Sequence, residues 1–82
     1  MILNVYSIYD SKSGVYSRPF FSLNNATAIR SFVQVANDQS TEIARHSADF
    51  SLHLIGTFDD TTAELVDDNH KTNLGLAASF KE

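Results

Sequence analysis

Asn25-Ala26-Thr27-Ala28-Ile29-Arg30-Ser31-Phe32-Val33-Gln34-Val35-Ala36-Asn37 decides the fold class. Ile29, Phe32, Val33 and Ala36 recur at i, i+3, i+4 and i+7, the spacing of one apolar stripe on a helix, while Arg30, Ser31 and Gln34 fall on the opposite side. Asn24 or Asn25 can cap the start by accepting a backbone N–H bond. Asn37-Asp38 can end the helix because Asn tolerates a left-handed backbone. The pattern predicts a helix over residues 25 to 37.

Upstream of that helix the period is two. Residues 2 to 10 place Ile2, Tyr6 and Ile8 on one face and Leu3, Val5 and Tyr9 on the other, so both faces are apolar and the segment reads as a central strand. Asp10-Ser11-Lys12-Ser13-Gly14 gathers turn formers, with Gly14 suited to a positive φ. Val15 to Ser22 resumes the strand pattern, interrupted at Pro19, which has no N–H for a ladder bond. Downstream, Gln39 to Asp49 is polar and fits a loop or a short helical turn. Leu52, Leu54 and Phe58 then alternate with Ser51, His53, Ile55 and Thr57, and Gly56 on the Leu face suits a close crossing by another element. A turn at Asp59 to Thr62 returns the chain as a fourth strand, Ala63 to Val66. Asp67 to Asn73 reads as a polar loop, and Leu74 to Phe80 as a final strand.

These elements predict an α+β domain: one small antiparallel sheet of four or five strands with one helix packed on one face. With 82 residues there is room for a single domain, and one of that size buries only about 60% of its unfolded surface. One helix leaves a sheet face uncovered, and the two-sided apolar pattern of the first strand predicts a homodimer or larger assembly.

The chain has no Cys, which excludes disulfides, thiol nucleophiles, thiolate zinc and iron-sulfur clusters. His46, His53 and His70 lack the i, i+4 spacing of a helical metal site, and the pairs Asp59-Asp60 and Asp67-Asp68 lack the ligand pattern of a calcium loop. There is no Gly-x-Ser-x-Gly elbow and no phosphate-binding loop. The sequence therefore predicts no enzyme, cofactor or metal. Met1 to Tyr6 lacks the basic and apolar regions of a signal peptide, and no run reaches the roughly 20 apolar residues of a membrane span, so the expectation is a soluble intracellular chain.

Six Lys and Arg against ten Asp and Glu give a formal charge of −4, which repels phosphate at long range. Any nucleic-acid contact must be local. Lys12, Tyr16, Arg18, Phe20 and Phe21 cluster on the expected first hairpin, and Arg30 lies on the outer side of the helix. Rings that stack on unpaired bases, with cations that meet phosphates, form the usual combination for single-stranded nucleic acid. Lys12, Tyr16, Arg18, Phe20 and Arg30 are the candidate contacts. The opposing expectation puts Tyr16 and Phe20 in a core or interface.

Val5-Tyr6-Ser7-Ile8-Tyr9-Asp10-Ser11-Lys12, Arg18-Pro19-Phe20-Phe21, Ala28-Ile29-Arg30-Ser31-Phe32, Asn37-Asp38, His46 to Phe50 and Ile55-Gly56-Thr57-Phe58-Asp59, taken in order, resemble one family. It is the small nonstructural protein of the gokushovirus branch of the Microviridae, single-stranded DNA bacteriophages. Ser47 stands where that family often has Pro, and Ala63 where it often has Gly. The resemblance implies an accessory protein of the bacterial host cytoplasm, serving the stage when single-stranded genomes are made and packaged. It carries over no catalytic residue. Two functions are expected from it: a dimeric module that contacts single-stranded DNA, or an adaptor that docks a phage replication or capsid protein without touching DNA.

Overall fold

The computed structural model describes residues 1–82. The chain forms β1 (Ile2–Asp10), β2 (Val15–Tyr16), β3 (Phe20–Ser22), α1 (Asn25–Ala36), α2 (Glu42–Arg45), β4 (Phe50–Asp59) and β5 (Glu64–Leu76), and closes with a 3₁₀ turn, Ala77–Phe80. All pairings are antiparallel. β1 is central, with β2 and β3 sharing one edge and β4 the other, and β5 lies outside β4. The five strands curve into a half-barrel with α1 on one face, the α+β architecture that the sequence predicts.

α1 forms where its period says, and its start is fixed by side chains. Asn24 Oδ1 accepts the Thr27 N–H at 2.9 Å, while Thr27 Oγ1 accepts the Asn24 N–H, a reciprocal cap that satisfies two otherwise orphan donors. The end differs from expectation. Asn37 has φ −106°, outside the left-handed region, and instead closes the helix through its amide, which donates to the carbonyls of Val33 and Phe80. The buried stripe is Ala28, Phe32 and Ala36, with Ile29 and Val33 half-buried beside it. Two alanines flanking one phenylalanine let the helix sit close on the sheet.

Phe32 meets Tyr6, Leu52 and Ala77 in the core, and Ile8, Phe20, Ile43, Phe50, Leu54, Leu74 and Phe80 pack around it. The Tyr6 hydroxyl donates to Asn25 Oδ1 at 2.8 Å and accepts from Asn4 Nδ2 at 3.0 Å, so the one polar atom of this core is satisfied from the first turn of the helix. Burial pushes its phenol above the ordinary value, with the Asn4 bond acting the other way.

The first turn follows the sequence. Gly14 has φ 72° and its N–H bonds the Asp10 carbonyl at 2.8 Å, while both Asp10 carboxylate oxygens accept from within the turn. Pro19 splits the returning strand into β2 and β3. The split has a consequence for facing: Tyr16 pairs with Tyr9 and Phe20 with Tyr6, four residues on one side against three on the other. One extra residue reverses the alternation, so Tyr16 and Phe20 lie on opposite faces of the sheet.

β4 contains a second reversal. Val5 pairs with Gly56 and Tyr6 with Leu54, which leaves Ile55 as a bulge. Leu52 and Leu54 face the helix, whereas Gly56 and Phe58, expected on the same face, are carried to the other one. The close crossing expected at Gly56 is there: a Cβ would lie 2.3 Å from the Val66 carbonyl oxygen of β5.

The last third departs most from the sequence reading. Asp67 to Asn73 is not a loop between two strands but part of β5, which pairs with β4 at both ends and carries Asp68–Lys71 as a four-residue excursion opposite Ile55. The final strand stops at Leu76. Beyond it the backbone winds into the 3₁₀ turn, which brings Ala77 into the core and the Phe80 ring edge-on to Phe32 with centroids 6.0 Å apart.

Candidate functional site

The face of the sheet away from α1 is built from the alternate residues of β1 and β4 and from the crossing of β5. Val5, Ser7, Ser51 and His53 form its buried floor. Small residues here let rings lie over them. Tyr9 and Tyr16, paired across β1 and β2, stand together with centroids 4.7 Å apart, and Tyr16 is 46% exposed. His53 meets the Tyr16 ring edge-on at 5.6 Å and the Tyr9 ring at 6.1 Å. Towards the β4–β5 hairpin the same face continues as an apolar groove of about 290 Å³ lined by Val5, Pro19, Phe21, Ile55 and Leu65, with Phe21 against Phe58 at 5.5 Å. Phe21 and Leu65 are more than half exposed.

His53 is fully engaged. Its Nδ1 lies 3.0 Å from the Lys71 carbonyl and its Nε2 2.9 Å from Ser51 Oγ. A carbonyl only accepts, so Nδ1 carries the proton and, in the neutral ring, Nε2 accepts from the Ser51 hydroxyl. This bond draws the β5 excursion onto the ringed face. Within the excursion, Asp68 accepts the N–H of His70, and that bond first, helped by Thr72, holds its carboxyl below the usual carboxylate range. Lys71 has φ 48°, a left-handed conformation rare for a side-chain-bearing residue. Its ammonium bonds the Asp67 carboxylate and, at 2.8 Å, the Asp68 carbonyl. Tyr16, Ile55, Asp67 and Lys71 enclose a crevice of about 240 Å³.

The five residues expected from sequence to contact nucleic acid do not share one surface. Tyr16 is on the ringed face. Arg18 is exposed on the connection between Tyr16 and the groove-lining Pro19, and so borders that face. Phe20 lies on the opposite face: its half-buried ring stacks on the fully buried Tyr6 at 5.7 Å on the helix side, so it shares no platform with Tyr16. Arg30 is exposed on α1, across the sheet from Tyr16. Lys12 lies at the far turn in a crevice with Asp10, Glu42, His46 and Asp49, where three carboxylates compete with any phosphate. Tyr9, His53 and Lys71 are the face's further members. Tyr9 was visible in the two-sided alternation of β1, whereas Lys71 fell in the stretch that reads as a loop.

No helix is long and apolar enough to cross a membrane. Residues 3–80, almost the whole length, match a family model drawn from bacteriophages, which makes this a phage protein. The family is described as Phage ORF5 protein, and the chain belongs to it. No curated protein and no solved structure matches it.

Proposed function

We propose that this is the small nonstructural protein of a gokushovirus-type member of the Microviridae, and that it supports synthesis or packaging of single-stranded genomes in the bacterial cytoplasm. It does so without catalysis, by holding single-stranded DNA on the helix-free face of its sheet. The observation that carries this reading is the Tyr9–Tyr16 pair, two rings side by side on the face that no helix covers, with Tyr16 46% exposed. An exposed ring on a rigid strand is a platform for an unpaired base, and each base stacked is worth about 1 to 3 kcal/mol. The ion pairs of the chain involve Met1 and Lys71 alone, which leaves the bordering Arg18 free for a phosphate. With Arg18 and Lys71 as the only cations at this face, the affinity should fall with salt at a log–log slope of about −1.4, two phosphate contacts at roughly −0.7 each.

Fluorescence anisotropy on a labelled unstructured oligonucleotide tests it. Single strands should bind more tightly than duplex, whose bases are not available for stacking. Tyr16→Ala should remove about 1 to 3 kcal/mol of binding while the protein melts close to the parent. No binding at low salt would overturn the reading.

A second reading has its own observation, the apolar groove at Phe21 and Leu65. Exposed apolar surface of this kind suits self-association or the docking of a phage replication or capsid protein, and a charge of −4 favours a basic partner. Light scattering that reports a 9.1 kDa monomer at micromolar concentration would remove the self-association part of it.

A further inference from the structure

A carboxylate stands where a phosphate-binding face would have none. Asp67 lines the crevice between Tyr16 and Lys71, and its Oδ1 accepts from the Lys71 ammonium. The two side chains are 65% and 41% exposed. Ion pairs this open to water are weak and exchange readily with other anions. The backbone of Lys71, by contrast, is anchored: its carbonyl is held by the buried His53, and the His53 ring is held in turn by Ser51. The ammonium also bonds the neutral Asp68 carbonyl, a contact that a change of anion need not disturb.

We propose that Asp67 occupies the place of a DNA phosphate. It holds the Lys71 ammonium while the face is empty and yields it to a backbone phosphate when a single strand lies over Tyr9 and Tyr16. The inference rests on the single-stranded DNA reading and adds to it an autoinhibitory contact. The exchange replaces one singly charged anion by another at Lys71, so the ammonium stays neutralised throughout. The displaced carboxylate remains beside the strand and repels it, which keeps the affinity of the parent protein low, most of all at low salt where the repulsion is least screened.

Anisotropy titrations of a labelled oligo-dT with the parent, Asp67→Asn, Lys71→Met and the double variant test this, with Glu64→Gln as a charge-matched control on the same strand. Asp67→Asn should tighten binding about two- to fivefold, the range that an exposed ion pair supports. Lys71→Met should weaken binding and flatten the salt slope by roughly 0.7. The gain from Asp67→Asn should vanish in the Lys71→Met background, and Glu64→Gln should give less than Asp67→Asn. An equal gain with and without Lys71, or an equal gain from Glu64→Gln, would reduce the effect to net charge and overturn the proposal. No gain from Asp67→Asn in a parent that binds would overturn it while leaving the DNA reading intact. A parent that fails to bind removes both. Melting curves accompany each titration, and Asp67→Ser serves as the second carboxylate removal if the Asn variant melts early.

Discussion

The two faces of the sheet are made from the same strands and come out as opposites. On the helix side, Tyr6 and Leu52 are fully buried against Phe32, and the polar atoms are tied into the helix start. On the other side, buried Ser7, Ser51 and His53 form a polar floor under Tyr9 and Tyr16, and Phe21 and Leu65 stand more than half exposed. A face that only needed to meet water would carry short polar residues outward and apolar ones inward. Here the order is inverted: the hydroxyls and the imidazole are underneath, and the rings are on top. That inversion separates a surface built for contact from one built for packing, and it is why the ringed face is the site.

The comparison is broken most sharply by removing its packed side. Phe32→Ala should lose about 3 to 5 kcal/mol, the usual cost of truncating a buried phenylalanine. Only 12 of the 82 residues are buried, so a loss of this size consumes a large part of the stability. An unchanged thermal midpoint would mean that α1 does not hold the sheet. A smaller effect sharpens the contrast, because it uses two rings four residues apart. Phe20→Ala, which takes a stacked ring from Tyr6, should cost about 1.5 to 3 kcal/mol. Tyr16→Ala should cost about 1 kcal/mol, since it loses the ring contacts with Tyr9 and His53 from a side that is nearly half exposed. Equal losses in thermal denaturation would contradict the assignment of the two rings to opposite faces.

Those two rings also show how far the sequence could be read. Strict alternation puts Tyr16 and Phe20 on one face, and only the extra residue in the Ser17–Pro19 connection reverses it. Pro19 announced a break but not its parity. The bulge at Ile55 has the same character: it moves Phe58 from the Leu face to the ringed one, and nothing in the period of β4 marks it. α1 and β1 were legible because each buries a continuous stripe, so the stripe's period is written in the residues. β5 was not. It is an edge strand, paired on one side alone, with its middle raised as an excursion. Asp67, Asp68, Asn69, His70 and Lys71 therefore look like a loop, although charges and bulges are common on strands whose free edge must not pair with another chain. Lys71, the one cation of the ringed face that the excursion supplies, was hidden with it.

The smallest effect concerns the two residues other than glycine that have positive φ, one in the β4–β5 hairpin and one in the ringed face. Ala63 has φ 64° and closes the hairpin by donating its N–H to the Asp59 carbonyl at 2.7 Å. Its methyl group clashes with the following backbone in this conformation, at a cost of roughly 1 to 2 kcal/mol, and glycine has no such clash. Glycine also gives the unfolded chain more freedom, which offsets part of the gain. Ala63→Gly should therefore stabilise the protein by about 0.5 to 1 kcal/mol, a rise in the thermal midpoint of roughly 3 to 6 °C for a domain of this size. Lys71, at φ 48°, would shed the same strain as glycine but would also surrender its bonds to Asp67 and the Asp68 carbonyl. Lys71→Gly should accordingly show a smaller rise, or none, in the same scan. A fall in the midpoint of Ala63→Gly would show that the hairpin does not hold Ala63 in the left-handed region. Equal rises for the two variants would show that the bonds of Lys71 contribute nothing to the empty protein, as they would if its ammonium were already free.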